Sequence, residues 1–177
     1  MKIKHFIIGL LLIGFGFSAQ VNAQYPHSAG GYASANIIHP ISITKTVDMS
    51  FGNIATDEGS AGTVILTPTN SRTPSAGITL PANTGTVTSA TFTVHGQAGY
   101  TYSITLPTES NAIHSTVSGA VDMTVTNFTC NYSSGVSILN GTGDDVIHVG
   151  ATLNIAKDQV EAQYTSTDPF IVRINYN

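Results

Sequence analysis

Apolar and polar residues alternate with a period of two along most of the chain, as in strands with one buried face. The clearest runs put every second residue on one face, in Tyr100–Leu106, Ile147–Ile155 and Phe170–Tyr176. Roughly seven to nine such runs occur at spacings of about 8 to 20 residues, with Gly, Pro and Asn between them. This pattern predicts an all-β fold, an antiparallel β-sandwich.

A first long strand is expected at the beginning of the folded part. Ala33, Ala35, Ile37, Ile41 and Ile43 fall on one face of it. Proline cannot donate to a ladder, so Pro40 within this run predicts a strand at a sheet edge or one that changes sheets there. We therefore predict a single sandwich domain over residues 33–177, preceded by a flexible arm over residues 24–32.

The phase of the alternation slips once, in the run that contains Val121, Met123 and Val125. Phe128 and Cys130 are out of step with these three residues. One extra residue inserted into a strand produces such a slip, so a β-bulge or two short strands are expected here.

The first 23 residues have the three parts of a signal peptide. Lys2 and Lys4 form a positive region, an apolar run of about a dozen residues follows, and Ala23 precedes the expected cleavage site. The apolar run is shorter than the roughly 20 residues that span a bilayer, so cleavage is favoured over anchoring. The sequence predicts an exported protein of the periplasm, cell surface or extracellular space, with no membrane insertion of the mature chain.

Charge is sparse, at 9% of all residues, and much of the polar surface is threonine instead. Without the predicted signal peptide, four basic residues remain against ten acidic ones, a formal charge of −6. Nucleic-acid binding needs clustered Lys and Arg, so nucleic acid is excluded as an expected partner. Uncharged, threonine-rich faces favour structural proteins that pack side by side.

No motif for catalysis, a cofactor or a metal is present. The sequence contains no G-x-S-x-G, S-x-x-K or phosphate-binding loop. No two histidines have the spacing of zinc ligands, and Asp144-Asp145 lacks the oxygen spacing of a calcium loop. The Asp144-Asp145 pair is interpreted as part of a solvated hairpin turn. We expect no enzyme and no cofactor.

Cys130 is the single cysteine, which leaves no partner for an intramolecular disulfide. It is in phase with Phe128 and Tyr132, as expected of a small buried apolar residue. A reactive thiol and an intermolecular bridge remain as alternatives for its role.

Several short motifs occur in an order that resembles a bacterial family, the domain of unknown function 4402. They lie in residues 33–43, 49–54, 62–66, 90–96, 102–107 and 149–155, and the chain closes on an alternating strand with Tyr176 next to last. The resemblance covers nearly the whole mature chain. It implies an exported immunoglobulin-like β-sandwich, close to pilin-like and spore-coat-protein-U-like subunits.

The last strand carries the functional part of this resemblance. In chaperone-usher pilins, an alternating C-terminal strand with a penultimate aromatic pairs with a chaperone or a neighbouring subunit. The residues that match or could take part in such pairing are Phe170, Val172, Ile174 and Tyr176, with Ile37, Ile41 and Ile43 on the first strand. The cysteine pair of many pilins is absent, and residues 24–31 are poor in large apolar side chains.

Two functions of different classes follow. The first is a pilus-like or coat-like subunit of the cell surface or periplasm that assembles with itself or with a periplasmic chaperone by strand addition. The alternative is a soluble extracellular binding module or adhesin that recognises a glycan or a protein. A self-sufficient sandwich that simply ends on a core strand would show the same C-terminal alternation.

Overall fold

The computed structural model of the protein describes residues 26–177. The predicted signal peptide, and with it the prediction of export, lies outside the described residues. No helix is present in the described part of the chain, and therefore none that is long and apolar enough to cross a membrane. The prediction of an all-β, antiparallel fold is confirmed.

The described chain has fourteen strands, against roughly seven to nine predicted, and seven of them have four residues or more. They are β1 (Ser42–Val47), β4 (Gly62–Leu66), β8 (Ala90–His95), β9 (Thr101–Thr105), β11 (Met123–Cys130), β13 (Asp144–Ile155) and β14 (Arg173–Tyr176). Seven further strands have only two or three residues, too few to show an alternation in sequence. They are β2 (Ser50–Phe51), β3 (Ala55–Thr56), β5 (Arg72–Pro74), β6 (Ile78–Thr79), β7 (Val87–Thr88), β10 (Asn111–Ile113) and β12 (Val136–Ile138).

The larger sheet runs in the order β1-β8-β13-β11-β10, and all of its pairs are antiparallel. The long strand β13 has two partners on one side: β8 along its first half and β4 along its second half. The strands β4 and β5 extend the sheet at that end. The strands β2 and β7 form a separate two-stranded sheet, and so do β3 and β6.

Gly150 lies where β13 changes partner from β8 to β4. A Cβ atom at this position would be 2.2 Å from the Leu66 carbonyl oxygen, 2.7 Å from the Thr67 carbonyl carbon and 2.9 Å from the Pro68 nitrogen. All three are backbone atoms, so no side chain fits between β13 and the end of β4.

The smaller sheet has the order β12-β9-β14 and supplies the other half of the core. Its inward side chains, among them Tyr102 and Ile104, belong to the same buried cluster as Phe92, Ile147 and Val149 of the larger sheet. Phe170, three residues before β14, packs on the larger sheet, with its ring centroid 6.2 Å from that of Phe92 and 4.9 Å from that of Phe128. One apolar core between two sheets gives a sandwich-like arrangement.

The prediction of one strand through residues 33–43 is wrong. The first strand begins at Ser42, after Pro40, and Ile37 is 96% exposed. A proline has no amide hydrogen to donate, so it ends the region that can pair with β8. The strand does lie at a sheet edge, because β1 pairs only with β8 among the described residues. Residues 26–36 have no regular secondary structure and are all exposed.

Candidate functional site

An open groove lies beside the core, between the end of β9 in the smaller sheet and the end of β11 in the larger sheet. It encloses about 480 Å³, within the range of roughly 300–1,000 Å³ that is usual for ligand pockets. One wall comes from the end of β9, and the other comes from the end of β11 and the loop after it. The lining residues are Ile104, Leu106, Phe128, Thr129, Cys130, Tyr132, Ser133 and Gly135, none of which carries a formal charge at neutral pH.

The β9 wall is a strand edge that its neighbour leaves uncovered. The strand β12 pairs with Thr101–Ser103, and the last bond on this side runs from the Ile104 amide to the Gly135 carbonyl, at 2.7 Å. The Gly135 amide then turns away and donates to the Tyr132 carbonyl. Since every second residue of a strand presents its backbone to the same side, Leu106 faces the groove too. No hydrogen bond of the Leu106 amide is found within residues 26–177.

The β11 wall is uncovered in the same way. The strand β10 pairs with Met123–Val125, and no strand of the described chain follows β11 further along that side. The expected bulge occurs here: the register with β13 shifts between Thr126 and Thr129, and Asn127 has φ of 50°. The bulge prediction is therefore confirmed. After it, Asn131 donates to the His148 carbonyl at 3.1 Å, so the backbone of Cys130 points the other way, into the groove.

Tyr132 on this wall is held by a carboxylate. Asp145 accepts hydrogen bonds from the hydroxyls of Tyr132, Tyr102 and Ser137, each at 2.6 Å, and from the Val146 amide at 2.7 Å. Burial by itself would raise the pKa of Asp145, but the hydrogen bonds from Ser137, Tyr102 and Tyr132 lower it below its usual range. The four bonds therefore keep this carboxylate ionised at the base of the wall.

The pKa values of Tyr102 and Tyr132 shift in the opposite direction. Burial, followed by the hydrogen bond to Asp145, raises the pKa of Tyr102 and also that of Tyr132. Both hydroxyls stay protonated and act as donors.

The second exposed edge is that of β14. The Asn177 amide donates to the Thr101 carbonyl at 3.2 Å, and Asn175 and Arg173 lie opposite Ser103 and Thr105. By the alternation of an antiparallel ladder, Ile174 and Tyr176 turn their amides and carbonyls away from β9. The strand β14 has β9 as its only strand partner within the described part of the chain. Those outward backbone groups therefore form an edge that another strand can pair with.

The structure places the predicted assembly residues in different surroundings. Ile41, Ile43, Phe170, Ile174 and Tyr176 are half-buried and pack against the core, and Val172 is buried within it. Ile37 is exposed and lies outside any strand. The alternating side chains of β14 thus fill the core of their own domain, and only the backbone edge of the strand remains available to a partner.

Tyr176 also joins two distant backbone segments. Its hydroxyl accepts a hydrogen bond from the Gln97 amide at 2.6 Å and donates one to the His39 carbonyl at 2.8 Å. A Cβ atom at Gly96 would lie 2.3 Å from this hydroxyl, so glycine leaves the room that the tyrosine occupies. The ring of Tyr100 packs edge-on at 5.8 Å.

Sequence reasoning missed the role of Asp145. The interpretation of Asp144-Asp145 as a solvated turn holds for Asp144, which is 44% exposed and accepts from Thr142, with His95 at 2.5 Å. It is wrong for Asp145. The sequence did contain a sign of this role, because Asp145 lies on the same face of β13 as Ile147 and Val149, which are buried.

No group of three or more His, Cys, Asp or Glu side chains able to hold a metal ion occurs among residues 26–177. The closest pairings of this kind are His95 with Asp144, at 2.5 Å, and His114 with Asp122, at 2.8 Å. Each is a single partly exposed pair, which provides too few ligands for a zinc or calcium site. Cys130 is half-buried and its thiol donates to the Tyr132 carbonyl at 3.3 Å.

Comparison with known proteins gives one match. A family model described as "Domain of unknown function (DUF4402)" matches residues 41–176, which include every strand of the structure. No curated protein and no solved structure shows significant similarity to the chain.

Proposed function

This chain belongs to the domain of unknown function 4402 family, and from that premise we propose that it is an exported structural protein. In this proposal it is a pilus-like or coat-like subunit of immunoglobulin-like fold, located in the periplasm, at the cell surface or outside the cell. It assembles with copies of itself, or with a periplasmic chaperone, through β-strand pairing. The proposal includes no catalytic step.

The single observation that carries the proposal is the uncovered edge of β14. Ile174 and Tyr176 direct their backbone groups away from β9, and no strand of residues 26–177 pairs with them. Natural proteins usually protect such edges with lysines, prolines or bulges. Here the flanking residues are Arg173, Asn175 and Asn177, and neither a proline nor a bulge interrupts the strand.

The surface composition supports the same function. The outward side chains of the larger sheet are mainly uncharged, because Thr91, Thr93, Thr124, Thr126 and Thr152 alternate with the buried residues of their strands. Threonine suits a solvated strand face and carries no charge that would repel a neighbouring copy. The predicted signal peptide supports export.

Two measurements on the mature chain, residues 24–177, test the proposal. Sedimentation velocity over a range of concentrations is expected to show species larger than the monomer. Hydrogen exchange is then expected to be slow at the amides of Ile174 and Tyr176 in the assembled fraction and fast in the monomer. The Asn177 amide, which donates to Thr101 within the domain, is the internal control and should be unchanged.

A strict monomer at the highest concentration, with fast exchange at Ile174 and Tyr176, would overturn self-assembly through β14. Adding a periplasmic extract and finding protection at the same two amides would assign the partner to a chaperone instead. Slow exchange at other amides, with exchange at Ile174 and Tyr176 still fast, would show that assembly does not use the β14 edge.

A binding module that recognises a glycan or a protein is the second candidate, and one surface feature favours it. A shallow depression of about 460 Å³ adjoins the groove and is lined by Thr101, Tyr132, Ser134, Val136, Ser137 and Ile138. Val136 and Ile138 are exposed, at 41% and 57%. Hydroxyls beside exposed apolar side chains suit a sugar or a peptide. Binding on a glycan array that is lost in Tyr132→Ala would favour this candidate.

A further inference from the structure

The strand β12 forms the edge of the smaller sheet on the side opposite to β14. The Leu139 amide donates to the Tyr100 carbonyl at 3.0 Å, so the odd-numbered residues of this segment direct their backbone groups to β9. By the alternation of the ladder, Val136 and Ile138 direct their amides and carbonyls away from it. Within residues 26–177, β12 has β9 as its only strand partner, and the Val136 carbonyl accepts one long bond, from the Ser134 hydroxyl at 3.4 Å.

The edge of β12 carries none of the features that prevent pairing with another strand. Natural edges are protected by charged side chains, prolines or bulges. Residues 129–143 contain no Lys, Arg, Asp, Glu or Pro, and the register of β12 with β9 is regular. The other edges of the two main sheets differ in this respect, with Lys45 and a bulge in β1, Arg72 and Pro74 in β5, Arg173 in β14, and a bridge from His114 to Thr165 directly after β10.

Two turns restrict the open part of β12 to Val136 and Ile138. A turn precedes the strand, and in it Gly135 has φ of 66°, which ends the extended backbone. After the strand, the Asn140 amide donates to the Asp144 carbonyl and is therefore already paired. A partner strand can form ladder bonds with two residues only, and this fixes the register in which it pairs.

We propose that β12 of one copy pairs antiparallel with β12 of a second copy, about a twofold axis that passes through Ser137. Val136 of each copy then lies opposite Ile138 of the other, and the two residues exchange backbone hydrogen bonds. Their side chains are 41% and 57% exposed in the single chain, and in the pair they contact each other twice. The Ser137 hydroxyl, which donates to Asp145 in its own domain, is not required by the partner.

Charge favours a second copy of this chain at β12. The mature chain has ten acidic residues against four basic ones, so two copies repel each other wherever their charged surfaces meet. Residues 129–143 contain no charged side chain, and a contact between two such segments places no like charges opposite each other. Each half of the contact supplies both members of the Val136–Ile138 pair, which is the self-complementarity that a twofold interface requires.

This inference deepens the proposed function and rests on it. A contact through β12 alone closes as a dimer, because its two halves are identical. The strands β12 and β14 lie at opposite edges of one sheet, so pairing through both edges continues that sheet from copy to copy. Two hydrogen-bonded residue pairs make a small contact, and we therefore expect a weak, reversible dimer.

Disulfide trapping tests the register. Residues in a hydrogen-bonded antiparallel pair have Cα atoms about 5.5 Å apart, a separation that a disulfide can span. A chain with Val136→Cys is mixed with a size-tagged chain with Ile138→Cys, each also carrying Cys130→Ser, and the mixture is oxidised. We expect a heterodimer in which residue 136 is joined to residue 138.

Each variant oxidised alone is the matched control. Two copies of the same cysteine are then diagonal to each other, about 7–8 Å apart, and too distant for an unstrained disulfide. The yield from the mixture is expected to exceed that from either variant alone at least about fivefold. Random collision would give equal yields, and equal yields would overturn the inference.

A substitution on the open face tests the equilibrium. Ile138→Lys removes the apolar partner of Val136 and adds the side chain that commonly protects natural edges. We expect the dimer dissociation constant from sedimentation velocity to rise at least about tenfold. Ile65→Lys is the control, because Ile65 is 47% exposed on β4 of the other sheet and the net charge changes equally. Its dissociation constant should equal that of the wild type, and equal effects of both variants would contradict the β12 contact.

Hydrogen exchange separates this inference from the proposed function. Slow exchange at Ile174 and Tyr176 without the disulfide-linked heterodimer overturns the inference and leaves the proposed function intact. The heterodimer with fast exchange at those two amides supports pairing through β12 and removes the β14 edge from the assembly. Slow exchange at Val136 and Ile138 that requires an added oligosaccharide, and not a higher protein concentration, would assign the edge to a ligand and overturn the inference.

Discussion

The Tyr176 hydroxyl donates a hydrogen bond to the His39 carbonyl at 2.8 Å, and so joins the last strand to the backbone just before the first. The same oxygen accepts from the Gln97 amide at 2.6 Å. One side chain therefore holds the position of β14, the loop after β8 and the point from which the N-terminal segment begins. The β14 edge proposed for assembly lies on the strand that this side chain anchors.

Tyr176→Phe removes the hydroxyl and keeps the ring. The Gln97 amide and the His39 carbonyl each lose a partner, so we expect a loss of about 1–3 kcal/mol in the free energy of unfolding. Chemical denaturation measures this loss, and hydrogen exchange at the Gln97 amide should accelerate. Tyr100→Phe is the matched control, because Tyr100 packs against Tyr176 as an exposed ring; it should change stability by less than about 0.5 kcal/mol. Equal effects of the two variants would contradict the role of the hydroxyl.

Asp145→Asn replaces one acceptor oxygen with an amide group that donates. Tyr102, Tyr132 and Ser137 all donate to this side chain, so at least one hydroxyl is left without an acceptor. Asp145 is partly exposed, which limits the expected loss in the free energy of unfolding to about 1–3 kcal/mol. The comparison variant is Asp144→Asn, at the half-exposed first residue of β13, with a smaller expected loss. A larger loss of stability in Asp144→Asn than in Asp145→Asn would show that the hydrogen bonds from Tyr102, Tyr132 and Ser137 to Asp145 are not the more stabilising ones.

The dependence of stability on pH has a definite sign at this cluster. The pKa of Asp145 is lower in the folded chain than the ordinary value of about 3.9 for an aspartate. Its contribution to stability is therefore fully present above about pH 4 and is lost as the pH falls through the folded pKa. The wild-type chain should become less stable between about pH 5 and pH 2, and the difference from Asp145→Asn should shrink over that range. Thermal unfolding of the wild-type chain and of Asp145→Asn as a function of pH tests these expectations. A difference in stability that stays constant from about pH 5 to pH 2 would contradict the lowered pKa of Asp145.

Gly150→Ala places a Cβ atom against the backbone of residues 66–68. A backbone cannot move aside as a flexible side chain does, so we expect a loss of about 1–3 kcal/mol in the free energy of unfolding. Gly141→Ala is the control in the same part of the chain, since nothing lies within 4 Å of a Cβ atom there. Calorimetry or denaturant titration of the two variants tests the close approach of β4 to β13. Similar stabilities of the two would contradict it.

The sequence by itself determined the strands and their buried faces. Alternation located β8, β9 and β13, and the phase slip before Phe128 identified the bulge of β11. This works because side chains alternate across a strand whatever its neighbours are, so a half-buried strand needs apolar residues at every second position. The family, too, could be identified from short motifs along the chain. The first strand does lie at a sheet edge, as Pro40 suggested, but it begins only at Ser42, so Pro40 precedes it.

Only the tertiary structure decided which edges stay open and which polar groups meet. The uncovered ends of β9 and β11 depend on where β12 and β10 stop, and these two strands are too short to show an alternation. The partners of Asp145 include Tyr102, 43 residues away, and the His39 carbonyl meets Tyr176 across 137 residues. A local pattern shows which way a side chain points but not what lies opposite it, because that depends on how distant segments pair. The candidate site consists of such distant contacts.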